Sequence, residues 1–132
     1  MTKEAVLAAF PGEAQRLAQA APFGPAVPGS TDIAIPAWQG EGAEFRVLFG
    51  FEGAGLARVH LIAIKPGDAT CGDVEKSLTD KLAVPSARND TGTSLRGEEV
   101  VWKRPDHTIT LSCAGVQSLG FRSVTIAYTP PA

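Results

Sequence analysis

Catalytic chemistry has few residues to draw on in this chain. Its 132 residues include two histidines, two cysteines, one methionine and one tyrosine. His60 and His107 stand far apart and there is no second pair of cysteines, so no zinc-ligand spacing is present. No G-x-S-x-G elbow, no H-E-x-x-H helix and no phosphate loop occurs. Gly50, Gly53 and Gly55 punctuate a turn and lead into no helix, which sets them apart from a dinucleotide fingerprint. No cofactor and no metal is implied, and the expectation is a protein that is not an enzyme.

An excess of either charge is lacking as well. The formal net charge is −2, and the longest basic run is Lys103-Arg104, too little for a phosphate backbone or an anionic membrane surface. No stretch approaches the roughly twenty apolar residues that a helical bilayer span takes. The start, Met1-Thr2-Lys3-Glu4, lacks the apolar segment of a secretory signal, which leaves a cytosolic protein or one whose signal has been removed. Nucleic-acid partners and a membrane span are not expected. The length suits one domain, residues 1–132.

What the chain does have is an internal echo. Ala37-Trp38 precedes two β-like runs ending at Ile64, and Val101-Trp102 precedes two ending at Tyr128. A shift of 64 lays Trp102 on Trp38, Ile109 on Phe45, Leu111 on Val47, Cys113 on Phe49 and Arg122 on Arg58. Repetition of this kind constrains architecture before chemistry. It divides the domain into two repeats, about 1–66 and 67–132.

Each repeat reads as a helix followed by strands. In the first, Thr2 can cap a helix whose apolar stripe runs Val6, Phe10, Ala14, Leu17, Ala18 and Ala21, kinked at Pro11-Gly12. Pro22, Pro25 and Pro28, with Gly24 and Gly29, end it. From Asp32 the period becomes two: Ile33 and Ile35 alternate, then Phe45, Val47 and Phe49, and Glu52-Gly53-Ala54-Gly55 turns the chain back through Leu56 to Ile64. His60, Ile62 and Ile64 share one face and Val59, Leu61 and Ala63 the other, the pattern of a central strand.

In the second repeat, Thr70-Cys71-Gly72-Asp73 has capping-box spacing ahead of a helix carrying Val74, Leu78 and Leu82 on one side and stopped by Pro85. A polar loop from Ser86 to Gly97 leads to strands over Glu98–Lys103, Thr108–Cys113 and Phe121–Tyr128. Pro105-Asp106 makes the first turn and Ala114 to Gly120 the second. The expected fold class is α+β: two α-β-β-β units forming an antiparallel sheet of about five or six strands, with both helices packed on one face.

Gly72 through Leu78, Leu82 to Pro85 and Trp102 before a strand pair resemble the helix-then-sheet unit of β-lactamase inhibitory protein and of small outer-membrane assembly lipoproteins. Phe23-Gly24-Pro25 stands at the equivalent corner of the first half. The second corner, Leu82-Ala83-Val84-Pro85, lacks the glycine that this likeness would place there. The resemblance implies a protein that binds another protein and catalyses nothing.

Cys71 falls in the first turn of the second helix and Cys113 at the end of a strand beneath it, so a disulfide would staple helix to sheet and imply the periplasm or the cell exterior. The alternatives are two unrelated thiols, or a reactive Cys71 activated by the helix N-terminus. Trp38 and Trp102 are either an exposed aromatic pair of the kind that anchors protein interfaces or core anchors, one per repeat, the commoner outcome. Asp106-His107 can ligate a metal or relay a proton, although in a tight turn Asp more often bonds the backbone and His is solvated. His60, in an apolar strand, reads as a hydrogen-bonded core residue before it reads as a ligand. The candidate binding residues are therefore Trp38, Trp102, Arg104, Asp106 and His107. The leading expectation is a non-catalytic envelope protein, inhibitor-like or assembly-factor-like, with a small-molecule carrier and a Cys71-dependent enzyme behind it.

Overall fold

In the computed structural model, which describes residues 1–24, 27–90, 96–116 and 121–131, the chain forms one eight-stranded antiparallel sheet with two short helices. The order is α1 (Lys3–Ala9), β1 (Gln15–Gly24), β2 (Val27–Gly40), β3 (Ala43–Glu52), β4 (Gly55–Ala63), α2 (Thr70–Leu82), β5 (Ala87–Asp90), β6 (Arg96–Lys103), β7 (Thr108–Val116) and β8 (Phe121–Thr129). Across the sheet the strands run β1-β2-β3-β4-β8-β7-β6-β5, two four-stranded meanders joined where β4 meets β8.

This overturns the α+β expectation. The protein is mostly β, each helix is followed by four strands instead of three, and the helices bury only Val6, Val74 and Leu78. Two segments account for the difference. Thr2 does cap α1, its hydroxyl accepting from the Ala5 amide at 3.1 Å, but the helix stops at Ala9, before Pro11 and a Gly12 with φ of +79°. Beyond that break, Gln15 to Ala21 is too short to hold a helix unaided, and the open edge of β2 offers its backbone a ladder instead. The second segment is Ala87–Asp90, expected as loop. It pairs with Glu98–Val101 as a short polar edge strand, which needs backbone groups and no apolar pattern. Pro25 and residues 91–95 and 117–120, which carry parts of the expected helix stop, loop and turn, lie outside the described residues.

α2 is present, without the capping box. The N-cap is Ala69, and the Thr70 hydroxyl accepts from the Gly67 amide at 2.8 Å, facing back into the preceding loop.

β4 is central, as its two apolar faces imply, lying between β3 and β8. Its core face carries Leu61 and Ala63 into one large cluster with Ile33, Ile35, Phe45, Val47, Phe49, Val100, Trp102, Ile109, Leu111, Val124 and Ile126. Burying such side chains contributes about 1.5–3 kcal/mol each and dominates the stability of the sheet. The opposite face carries a smaller cluster, Ala21, Phe23, Ala34 and Leu48, all from the first meander.

The pairing also corrects the repeat. Trp38 pairs with Phe45 and Trp102 with Ile109, in keeping with a shift of 64. Val47 pairs with Leu61, however, while Leu111 pairs with Ile126, so the last strand is offset by one more residue. Arg58 opposes Gly50, and the residue that opposes the equivalent Ala114 is Ser123. Arg122 instead forms an ion pair with Asp68.

Candidate functional site

The corner where α2 hands the chain to β5 gathers several of the singled-out residues. A helix leaves its last carbonyls without intrahelical partners, and here two side chains from the β6–β7 hairpin supply them. Trp102, fully buried, donates its indole N–H to the Ala83 carbonyl at 3.1 Å. Arg104 donates from its guanidinium to the Leu82 carbonyl, which also places a cation at the negative end of the helix dipole. The Arg104 amide donates to the His107 carbonyl at 2.9 Å and closes the hairpin turn. Ser86 completes the frame: its amide donates to Val101 at 2.7 Å and its hydroxyl accepts from the Lys103 amide at 2.9 Å.

These bonds hold a strained backbone. Ala83 sits at φ 66°, ψ −155°, a region in which glycine alone is at ease. The next residue, Val84, is 81% exposed, the most open of the large hydrophobic side chains among the described residues. The missing glycine in Leu82-Ala83-Val84-Pro85 was the one sign of this in the sequence.

Asp106 and His107 sit at the end of the same hairpin. The Asp106 carboxylate and the His107 Nδ1 are 2.6 Å apart, and the hydrogen bond from His107 holds the Asp106 carboxyl below its usual range. Trp38 is elsewhere. Half-buried, it tilts against Phe45 at 6.4 Å between ring centres and lies over Gly40, where a Cβ would fall 2.3 Å from the indole. The two tryptophans thus hold matching places in the pairing and different environments, and they do not form an exposed pair.

Cys71 and Cys113 are at disulfide distance, 2.09 Å between sulfurs and 6.1 Å between Cα atoms, joining the first turn of α2 to β7. Neither thiol is free. His60 is buried, 6% exposed, and its Nε2 has no hydrogen-bond partner among the described residues, so it is not the satisfied core histidine that the sequence suggests. Burial, aided by the neighbouring Arg58 cation, pushes its pKa below the ordinary value. Among the described residues no group of three or more His, Cys, Asp or Glu side chains is placed to hold a metal.

A cleft of about 300 Å³ opens beside α1, lined by Lys3, Ala20, Ser30, Thr31, Asp32 and Phe51. Its charges are already engaged. Lys3 and Asp32 form a 3.0 Å ion pair, and Lys3 lies 5.8 Å from the centre of the Phe51 ring.

Fold and corner together define a mostly-β protein with a single antiparallel sheet, and the most open large apolar side chain among the described residues is mounted on a hydrogen-bonded, strained loop. No known family model, curated protein or solved structure matches the chain. What it does is therefore read from its own geometry.

Proposed function

We propose that this protein is a non-catalytic binder of another protein, acting in the periplasm or outside the cell and presenting Val84 as a fixed apolar knob. The observation that carries the reading is the pairing of strain with exposure at Ala83-Val84. Strained conformations cost about 1–3 kcal/mol and persist where the surroundings over-determine them, most often at binding and catalytic sites. Here Trp102, Arg104 and Ser86 do the determining, and what they hold outward is a β-branched side chain that loses little entropy on docking. Arg104, Asp106 and His107 form the polar part of the same corner, the usual surround of an apolar anchor.

The disulfide supports an oxidising compartment. No helix among the described residues is long and apolar enough to cross a membrane. A partner protein is also what the resemblance in the second half implies. The carrier alternative is weaker, because the cleft beside α1 is at the small end for a ligand site and its two charged groups are paired with each other.

A photo-crosslinking residue at position 84, expressed in the native host, tests this against the same residue at Asn89 on the edge strand. The expected result is a protein adduct at 84 that is absent at 89. Equal labelling at both positions, or none at 84, overturns the reading.

A further inference from the structure

Phe23 closes a slot that has an unusual lining. Only 3% exposed, it leaves edge strand β1 to stack on the His60 ring, with centroids 4.9 Å apart, and the Arg58 guanidinium lies 4.7 Å from the centre of the same Phe23 ring. Two glycines make the room. A Cβ at Gly50 would fall 2.9 Å from Phe23 Cζ and 2.6 Å from Arg58 Cγ, and one at Gly29 would fall 3.4 Å from the Phe23 ring. The second meander differs here: by strand pairing Thr125 stands at the place of His60 and Ser123 at that of Arg58.

The strand that carries Phe23 lies at an edge of the sheet, and its register is broken. Gln15 and Arg16 pair with Ala34 and Ile33, but the next partners are Ala21 with Thr31 and Pro22 with Ser30, so the register breaks between Arg16 and Ala21. Pro22 has no N–H to donate, and β1 has a neighbour on one side only. Segments of this kind open locally at a free-energy cost below that of global unfolding.

We propose that residues Ala21–Gly24 form a strap, latched by Phe23 over His60 and released by acid. A proton on His60 would place a cation in a buried slot already bordered by the Arg58 cation. The groups that meet His60 are Leu48 from β3, Ala127 from β8, Phe23 from β1 and Arg58 from its own strand; further along this face of β3 stand Arg46, opposite Ile62, and Glu44, whose carboxylate accepts from Gln39. None of the side chains that meet His60 can accept a proton from an imidazolium. Lifting Phe23 hydrates the ring and removes the penalty.

Opened, His60 titrates near its ordinary value of about 6.5; closed, it titrates lower. The latched state therefore binds fewer protons, is favoured above pH ~6.5 and is lost progressively below it.

Hydrogen exchange of the intact, oxidised protein, read on the peptide spanning residues 17–24 and corrected for intrinsic rate, tests this at pH 7.5 and 5.0. The expected result is at least a tenfold loss of protection in that peptide at pH 5.0, with β6 and β7 unchanged. In His60→Phe the loss should vanish, and in Arg58→Gln it should shrink, because removing the cation that opposes the proton narrows the difference between closed and open His60. An equal loss in His60→Phe, or no selective loss in the parent protein, overturns the proposal. Should His60→Phe fail to fold, an NMR titration of His60 in the parent protein decides: a midpoint at or above 6.5 overturns the latch, and one below it with Phe23 resonances shifting in step sustains it.

Discussion

The indole N–H of Trp102 reaches the carbonyl oxygen of Ala83 at 3.1 Å, so a core side chain of β6 fastens the one residue of the α2–β5 corner that occupies a glycine-like conformation. The strain and its restraint are separable by mutation.

Replacing Ala83 by glycine removes the steric cost at φ 66° and adds backbone freedom to the unfolded chain. The first effect is the larger, about 1–3 kcal/mol against 0.4–1. We expect Ala83→Gly to stabilise the protein by about 1 kcal/mol in urea unfolding. A loss of stability would show that the conformation is not strained.

Trp102→Phe keeps most of the ring and deletes the donor, leaving the Ala83 carbonyl without its indole partner. The expected loss is about 2 kcal/mol, from an unmet hydrogen bond plus a small void. Trp38→Phe, at the matching position of the first meander but half-buried, should cost less than about 1 kcal/mol. Similar losses for both would mean that the two indoles are equivalent anchors after all.

The bridge between Cys71 and Cys113 closes a loop with a sequence separation of 42. The chain-entropy relation gives roughly 4 kcal/mol for a loop of this size. Paired Cys71→Ser and Cys113→Ser substitutions should lower unfolding stability by about that amount, and intact mass should rise by two hydrogens on reduction. An unchanged mass would place both sulfurs as thiols.

Asp32 holds α1 through Lys3 and reaches Arg16 of β1 at 3.9 Å, and the Lys3 hydrogen bond lowers its carboxyl pKa. A depressed carboxyl pKa favours the folded state above the unfolded value, and the benefit fades as pH falls through the folded one. Because the pair is open to solvent, Asp32→Asn should cost less than about 1 kcal/mol at neutral pH, and less again in high salt. A loss beyond about 2 kcal/mol in chemical unfolding would contradict a surface role.

Much of the sheet was legible because its strands carry one of two strong signals, alternation as in Phe45, Val47 and Phe49 or an apolar run broken only by His60, as in Val59–Ala63. β1 was not, since Gln15–Ala21 is rich in helix formers and only the open edge of β2 makes it extended; long-range pairing overrode local propensity. β5 was missed for the opposite reason, having no apolar signal at all. At the corner, Trp102 and Arg104 were visible as unusual residue types, but their work on the carbonyls of α2 depends on a contact across some twenty residues that no spacing reveals. Val84 carried no motif, only the absence of a glycine before it.

α2 is fastened at both ends, by sulfur to β7 at its start and by an indole and a guanidinium at its finish, whereas α1 is held by one buried side chain, Val6, and by solvent-facing ion pairs. The molecule is thus lopsided in its mechanics. One half behaves as an anvil and the other as the yielding side, so a partner that distorts this protein on contact should leave its imprint on residues before Lys65 and spare those after it.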